Sequence, residues 1–436
     1  MFNMKVTRWS DLDSGEQRKL LQRPVFSNKG LGDSVAEILA RVRSGGDNAL
    51  AELTREIDKL EPRSFRLSEE ELDAAADSAD PRLLKAIADA SERIRAFHAA
   101  DMPQRKTVET APGLVCEVRY QPLSPVGLYI PGGSAPLIST VLMLAIPAVL
   151  AGCEETVMCS PPGSDGRIPA NILAAAKLCG VSSVFCAGGA QAIAAMAYGT
   201  ETVPRCSKIF GPGNAWVTEA KQQVSLDPDG AAIDLPAGPS EVLVIADAGA
   251  DPEFIAWDLL SQAEHGPDSQ VVLLTDNARL ADAVIGQIQK LAPSSPRAAI
   301  LEKSLAESRI ILVSDMATAI ALSNHYAPEH LILNTADAKG LADQARNAGS
   351  VFIGPWTPES LGDYCSGTNH VLPTYGWARS HGALGPGDFM RRMTLQEASR
   401  EALARVGPTA EILAETEGLD AHRMAVRARL GGRGGN

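Results

Sequence analysis

A chain of 436 residues is too long for one ordinary hydrophobic core, so two or more domains are expected, and 45% hydrophobic with 21% charged residues is the balance of a globular protein. Forty basic against 53 acidic residues leave a formal charge of -13, and few aromatic residues with no long basic run argue against a nucleic-acid surface and for small-molecule chemistry. Seven cysteines, an odd number with no C-x-x-C pair, read as reduced thiols of a cytoplasmic protein.

The start, MFNMKVTRWSDLDSGEQ, is too polar for a signal peptide. From about residue 13 to 103 apolar residues recur at helical spacing, and Ser68 with Glu71 forms a capping-box signal. The longest apolar stretch, 136–152, is shorter than the roughly 20 residues that span a bilayer and contains Pro147, so a buried helix is expected and no membrane partner. From 126 to 354 short apolar strands alternate with helical patterns. VGLYI, TVMCS, SVFCAG and SKIFG form one series; EVLVIAD, QVVLLTD, RIILVS, HLILN and SVFIG form a second. Such alternation predicts two α/β domains with parallel sheets. The Pro/Gly-rich LPAGPSE at 235–241 reads as a hinge between them, 354–388 as a long loop, and 389–430 as helical again before a Gly/Arg tail.

Ligands of open α/β sheets sit beyond the carboxyl ends of the strands, which directs attention to YIPGGSAP, CAGGAQA, FGPGNAW and PAGPSE. Glycines there let a backbone approach a phosphate, yet G-x-G-x-x-G is absent, so a nucleotide cradle and ordinary βα turns both remain open. The histidines supply a metal signature of a diffuse kind. Gln262 and His265 in SQAEHGP share a helical face, LGDYCSGTNHVLP holds Asp363 and His370, and EGLDAH holds Glu417 and His422. A helix-end histidine is equally a cap or a solvated group. YAPEHLILN places Glu329 and His330 at the head of an apolar strand, either as a satisfied strand end or as acid-base machinery. Cys153 is followed by two glutamates, a setting that raises a thiol pKa, so packing is expected of it.

Taken together and in order, GLYIPGGSAPLISTVLMLAIPA, GGAQAIAAMAYGTETV, KIFGPGNAWVTEAK, DLPAGPSEVLVIAD, DLLSQAEHGPDSQV, YAPEHLIL, AGSVFIGPWTPESLGDYCSGTNHVLPT and EGLDAH resemble the histidinol dehydrogenase family, up to about His422. The resemblance implies an NAD-dependent enzyme with one zinc ion per subunit that oxidises L-histidinol through L-histidinaldehyde to L-histidine. Carried over by position, Gln262, His265, Asp363 and His422 are the metal ligands, His330 the general base and Glu329 the activator of water. Ser240, Gln262, His265, His330, Asp363, His370, Glu417 and His422 fall on substrate-binding positions, and Tyr129, Gln191 and Asn214 on the NAD contacts. The implied fold is two incomplete Rossmann-like parallel-sheet domains with small helical N- and C-terminal segments, in an intertwined homodimer whose C-terminal segment completes the partner's site. The expected division is an N-terminal helical segment 1–25, a first domain of 26–128 with 242–384, a second of 129–241, and a C-terminal segment 385–436. The sequence departs from the family pattern mostly at 375–389 and in the tail, which carry none of these residues. A dehydrogenase of another small alcohol on the same scaffold, or a zinc-stabilised binding dimer, are the rival readings; a zinc hydrolase lacks its H-E-x-x-H helix.

Overall fold

The computed structural model describes residues 2, 4–24, 30–61, 64–132, 137–235 and 238–431, so parts of YIPGGSAP and PAGPSE and the end of the tail lie outside the described residues. Two parallel sheets form, as the strand-helix alternation predicts. The first has six strands in the order Lys5–Arg8, Arg309–Leu312, Gln270–Thr275, Glu241–Ala246, His330–Asn334, Ser350–Ile353. The second has five, in the order Ser183–Cys186, Thr156–Ser160, Val126–Tyr129, Lys208–Phe210, Ala232–Ile233. Every pairing within these two sheets is parallel.

Continuous apolar runs such as Val242–Ala246 are wholly buried because helices cover both faces of the sheet. Successive side chains of that strand serve different cores. Val242, Val244 and Ala246 pack beneath the helix Pro252–Ala263, while Leu243 and Ile245 pack with Ala319 and Tyr326 of the helix Met316–Tyr326. The apolar stretch at 136–152 is the helix Ile138–Ala151, buried over most of its length despite Pro147. Among the described residues no helix is long and apolar enough to cross a membrane.

Three placements differ from the sequence expectation. The helices of 31–100 do not join 242–384: Leu31–Leu53 packs on the helices Gly189–Tyr198 and Ala215–Leu226, Glu69–Ser78 on Ala170–Cys179, and Pro81–Ala100 on Ile138–Ala151, all around the five-stranded sheet. Their amphipathic stripes say that one face is buried but not against which sheet. The N-terminal segment is not wholly helical, since Lys5–Arg8 is an edge strand of the six-stranded sheet ahead of the helix Ser14–Leu20. The C-terminal segment opens with a nine-residue strand, Met390–Ala398, paired antiparallel with Leu114–Pro122. Its half-exposed pattern suits a ribbon with no core behind it. The Ser68–Glu71 capping box forms as expected, Glu71 N donating to Ser68 Oγ at 3.3 Å and Ser68 N to Glu71 Oε2 at 2.9 Å.

Candidate active site

Glu329 and His330 stand at the amino end of the strand His330–Asn334, buried to 6% and 3% exposure. A left-handed residue delivers them. Ala327 has φ 57 and ψ 68, a conformation that costs a non-glycine residue about 1–3 kcal/mol and persists only where the surroundings enforce it. The neighbouring strand begins with Glu241, and the two strand heads are laced together. Glu241 N donates to Glu329 Oε2 at 2.9 Å, Glu329 N donates to Glu241 Oε1 at 3.2 Å, and His330 Nδ1 lies 3.1 Å from the Glu241 carbonyl oxygen. That carbonyl can only accept, so Nδ1 carries a proton, and it is Nε2 that holds the lone pair whenever the ring is neutral. His330 Nε2 has no hydrogen-bond partner and faces Asp363 Oδ1 at 3.5 Å.

The helix Pro252–Ala263 follows the Glu241 strand and returns to the same end of the sheet, bringing Gln262 there and His265 just after it. Gln262 is 1% exposed, and both its amide nitrogen and its amide oxygen lack partners. An unsatisfied buried amide costs about 1–3 kcal/mol per group, which marks a place for a ligand. The stretch 354–388 is more than a loop: its short helix Glu359–Tyr364 carries Asp363, and His370 and Thr374 follow. Asp363 Oδ1 is 3.9 Å from His370 Nδ1.

Ser240, Gln262, His265, Glu329, His330, Asp363 and His370 thus line one cavity of about 120 Å³. Its opposite wall, Thr140, Gly211, Pro212 and Asp234, comes from the five-stranded side. The rule that ligands lie at carboxyl strand ends therefore holds for one wall only. Gly211, Pro212 and Asp234 follow carboxyl ends, whereas Glu329, His330, Gln262 and His265 gather at amino ends, because the helix Pro252–Ala263 and the 327–330 turn both deliver their chemistry there.

Electrostatics follow from this crowding. Burial favours a neutral His330, yet Glu329 and Asp363 on either side outweigh it and hold the ring well above its ordinary pKa. Burial raises Glu329, partly opposed by His330. Burial also acts to raise Asp363, but the imidazoles of His330 and His370 prevail and draw it below the usual carboxylate range. His370 is lowered by burial, against the pull of Asp363. Glu359, which accepts from the Ser261 hydroxyl, is pushed up to about 8 by burial and by Asp363.

A second cavity, of about 690 Å³, opens over the carboxyl ends of the five-stranded sheet and is lined by Tyr129, Gln191 and Asn214. Tyr129 Oη accepts from Gly189 N at 3.0 Å, Gln191 Nε2 donates to Asp58 at 3.4 Å, and Asn214 Oδ1 caps the helix Ala215–Leu226. Burial raises the Tyr129 hydroxyl to about 12, so it stays a neutral donor and acceptor. The stretch Gly211–Asn214 borders both cavities. It is pinned by Asp234, whose Oδ2 accepts from Gly211 N at 2.7 Å, and by the buried Lys221, whose ammonium donates to the Gly211 carbonyl at 2.8 Å. The glycines of these turns answer to protein packing: a Cβ on Gly132 or Gly188 would meet the Pro161 ring at 2.3 Å, and one on Gly211 the Tyr129 carbonyl oxygen at 2.2 Å. Cys153 is packed as expected, its thiol pushed up to about 11 by burial.

Glu417 and His422 stand apart from both cavities. They are exposed on the pair of helices Arg400–Thr416 and Asp420–Leu430, which pack chiefly on each other beyond the strand Met390–Ala398. Among the described residues no group of three His, Cys, Asp or Glu side chains is arranged to hold a metal by itself.

Residues 21–430 match the family model for histidinol dehydrogenase. The chain belongs to the histidinol dehydrogenase family. It is 54% identical to histidinol dehydrogenase of Vibrio cholerae serotype O1, across 98% of both chains, and 53% identical to that of Xanthomonas axonopodis pv. citri, across 98% of this chain and 99% of the relative. The crystal structure of histidinol dehydrogenase from Elizabethkingia anophelis superposes with a TM-score of 0.94 at 43% identity, over 98% of each chain. Members of a histidinol dehydrogenase family are oxidoreductases, and this chain has the length and fold of one throughout.

The sequence patterns single out neither Glu241, whose carboxylate, amide and carbonyl contact Glu329 and His330, nor Arg23, which donates to that carboxylate and to the carbonyls of Tyr326 and Ala327. Glu241 carries the signal that exposed Glu329, a carboxylate heading a fully apolar strand, but it stood inside the stretch taken as a hinge.

Proposed function

We propose that the chain oxidises L-histidinol through L-histidinaldehyde to L-histidine in the cavity headed by Glu329 and His330, reducing two NAD per product. The observation that carries this reading is the free Nε2 of His330 beside a buried carboxylate, in one cavity with an unpartnered Gln262 amide. The His330 Nε2 lone pair takes the hydroxyl proton of the alcohol as the hydride leaves its carbon. The aldehyde must be hydrated before a second hydride can leave, and the Glu329 carboxylate takes the proton from the attacking water. The protonated His330 gives its proton to the carbonyl oxygen as the water adds, which completes the hydrate and restores the Nε2 lone pair, and His330 then accepts the hydroxyl proton of the hydrate during the second oxidation.

Gln262, His265 and Asp363 suit zinc: an amide oxygen, an imidazole and a carboxylate converge at the carboxyl end of a helix, whose dipole favours a cation. When bound, zinc would hold the imidazole and amine nitrogens of the substrate as a template, and NAD takes the hydrides. Asp363, once its charge is shared with a cation, holds His330 less strongly protonated and so leaves it competent as a base. Tyr129, Gln191 and Asn214 are assigned to NAD, with the stretch Gly211–Asn214 between cofactor and substrate. Ser240 and His370 are assigned to the substrate. His422 as the fourth metal ligand and Glu417 as a substrate contact come from a second copy of the chain, since neither reaches its own cavity; the working unit is a homodimer. Seven free thiols and a diffusible cofactor fit a cytoplasmic enzyme.

The test is NADH formation from L-histidinol by the zinc-loaded protein, with His330→Asn and Glu329→Gln in parallel. His330→Asn should lower kcat by roughly 10²–10⁴-fold while zinc is retained. Glu329→Gln should slow oxidation of supplied histidinaldehyde far more than that of histidinol. Absence of NADH from the wild-type protein would end this reading.

A further inference from the structure

Arg23 follows shortly after the helix Ser14–Leu20, far in sequence from every residue assigned a role, and its side chain is 10% exposed. Its guanidinium makes a two-pronged bond to Glu241, Nε to Oε2 at 2.6 Å and Nη2 to Oε1 at 2.8 Å. The same Nη2 donates to the carbonyls of Tyr326 at 3.0 Å and Ala327 at 3.1 Å. The guanidinium carbon sits 3.8 Å from the centroid of the Tyr326 ring, whose hydroxyl donates to Gln270 Oε1 at 2.8 Å and lies 3.3 Å from Glu241 Oε2. Arg23 therefore grips both strands that meet at the site: the head of one through Glu241, and the left-handed turn leading into the other through two backbone carbonyls.

We infer that Arg23 is a positioning residue for the Glu329–His330 pair, acting through Glu241 and the Ala327 turn. Two physical facts support this over a role in bulk stability alone. Ala327 occupies a conformation that relaxes unless something holds it, and the carbonyls on either side of the strained bond are those Arg23 binds. Glu241 in turn reaches both members of the pair, its side chain and amide through Glu329 and its carbonyl through His330 Nδ1. Loss of the guanidinium leaves a buried carboxylate unpaired and two carbonyls unsatisfied at the hinge of the pair, and a displacement of reacting groups by about 1 Å can cost a hundredfold in rate. Lysine keeps the charge but lacks the planar fork that serves the carboxylate and the two carbonyls at once.

The inference rests on the roles proposed for Glu329 and His330, and the test separates the two. Arg23→Ala, Arg23→Lys, Glu241→Gln and His330→Asn are compared in full-length zinc-loaded protein by kcat, KM for histidinol and for NAD, the pH profile of kcat, bound zinc and thermal melting. Arg23→Ala is expected to lose on the order of tenfold to a hundredfold in kcat, with both KM values and the zinc content near wild type and a displaced pH profile. Arg23→Lys should recover part of the kcat. If Arg23→Ala does not fold, Arg23→Lys is decisive by the same readouts at a melting temperature near wild type. A folded variant with lowered melting temperature but wild-type kcat and pH profile would make Arg23 merely structural and overturn the inference. Should His330→Asn keep full turnover, the proposed roles fail first; should His330→Asn lose turnover while the Arg23 variants keep it, only the positioning role fails.

Discussion

Asp363 and His330 face each other across 3.5 Å, Oδ1 to Nε2, with neither side chain more than about a tenth exposed. Asp363 is the anionic member of the proposed ligand set, the others being an amide and imidazoles. Asp363→Asn should keep the fold but lose zinc, with affinity falling at least about tenfold because a carboxylate is a far better donor than an amide. Competition with a chromogenic chelator measures it. Unchanged affinity would remove Asp363 from the set.

Asp258 lies one helical turn before Gln262 and is 8% exposed, and burial raises its pKa to about 7. The folded state thus binds a proton that the unfolded chain releases near pH 4, so stability is greatest at low pH with respect to this group. It falls as pH rises from about 4 to about 7 and is level above. Asp258→Asn should remove that slope and gain on the order of a few kcal/mol at pH 8, with a much smaller change at pH 5. Urea denaturation at the two pH values checks it, and equal changes at both would contradict the assignment.

The sheets were legible in the sequence because their strands are unbroken apolar runs such as EVLVIA and HLILN, which only a doubly covered parallel sheet accepts. The Glu329–His330 pair was legible for the complementary reason, as charge at the head of such a run. Which sheet the helices of 31–100 cover was not legible, since an amphipathic stripe has no address. Met390–Ala398 was missed because a ribbon without a core carries little hydrophobic period. Arg23 carries no local signal at all: its partners Glu241 and Tyr326 are 218 and 303 residues away in sequence.

Phe389 joins the C-terminal segment to the five-stranded sheet. Its ring stacks on Phe210 with centroids 3.9 Å apart and an 18° interplanar angle, and both are fully buried. Phe389→Ala should destabilise by about 3–5 kcal/mol through lost burial and the cavity left behind. A lower denaturation midpoint at unchanged slope is the expected signature, and faster amide exchange along Met390–Ala398 would place the damage. A midpoint within error of wild type would mean the stack contributes nothing.

His330 and His422 supply the sharpest test of a shared site. His330 heads a buried strand, while His422 sits exposed on a helical hairpin that carries Ile412 at 63% and Leu413 at 58% exposure, apolar surface suited to burial against another copy. If each site draws His330 from one chain and His422 from the other, His330→Asn and His422→Ala variants are each inactive alone. Unfolded and refolded together, half of the dimers are mixed, and each mixed dimer holds one intact and one doubly defective site. Roughly a quarter of wild-type activity should then return. Sites built within one chain would return none, because every chain in the mixture carries a lesion. Activity per milligram before and after mixing decides between the two arrangements.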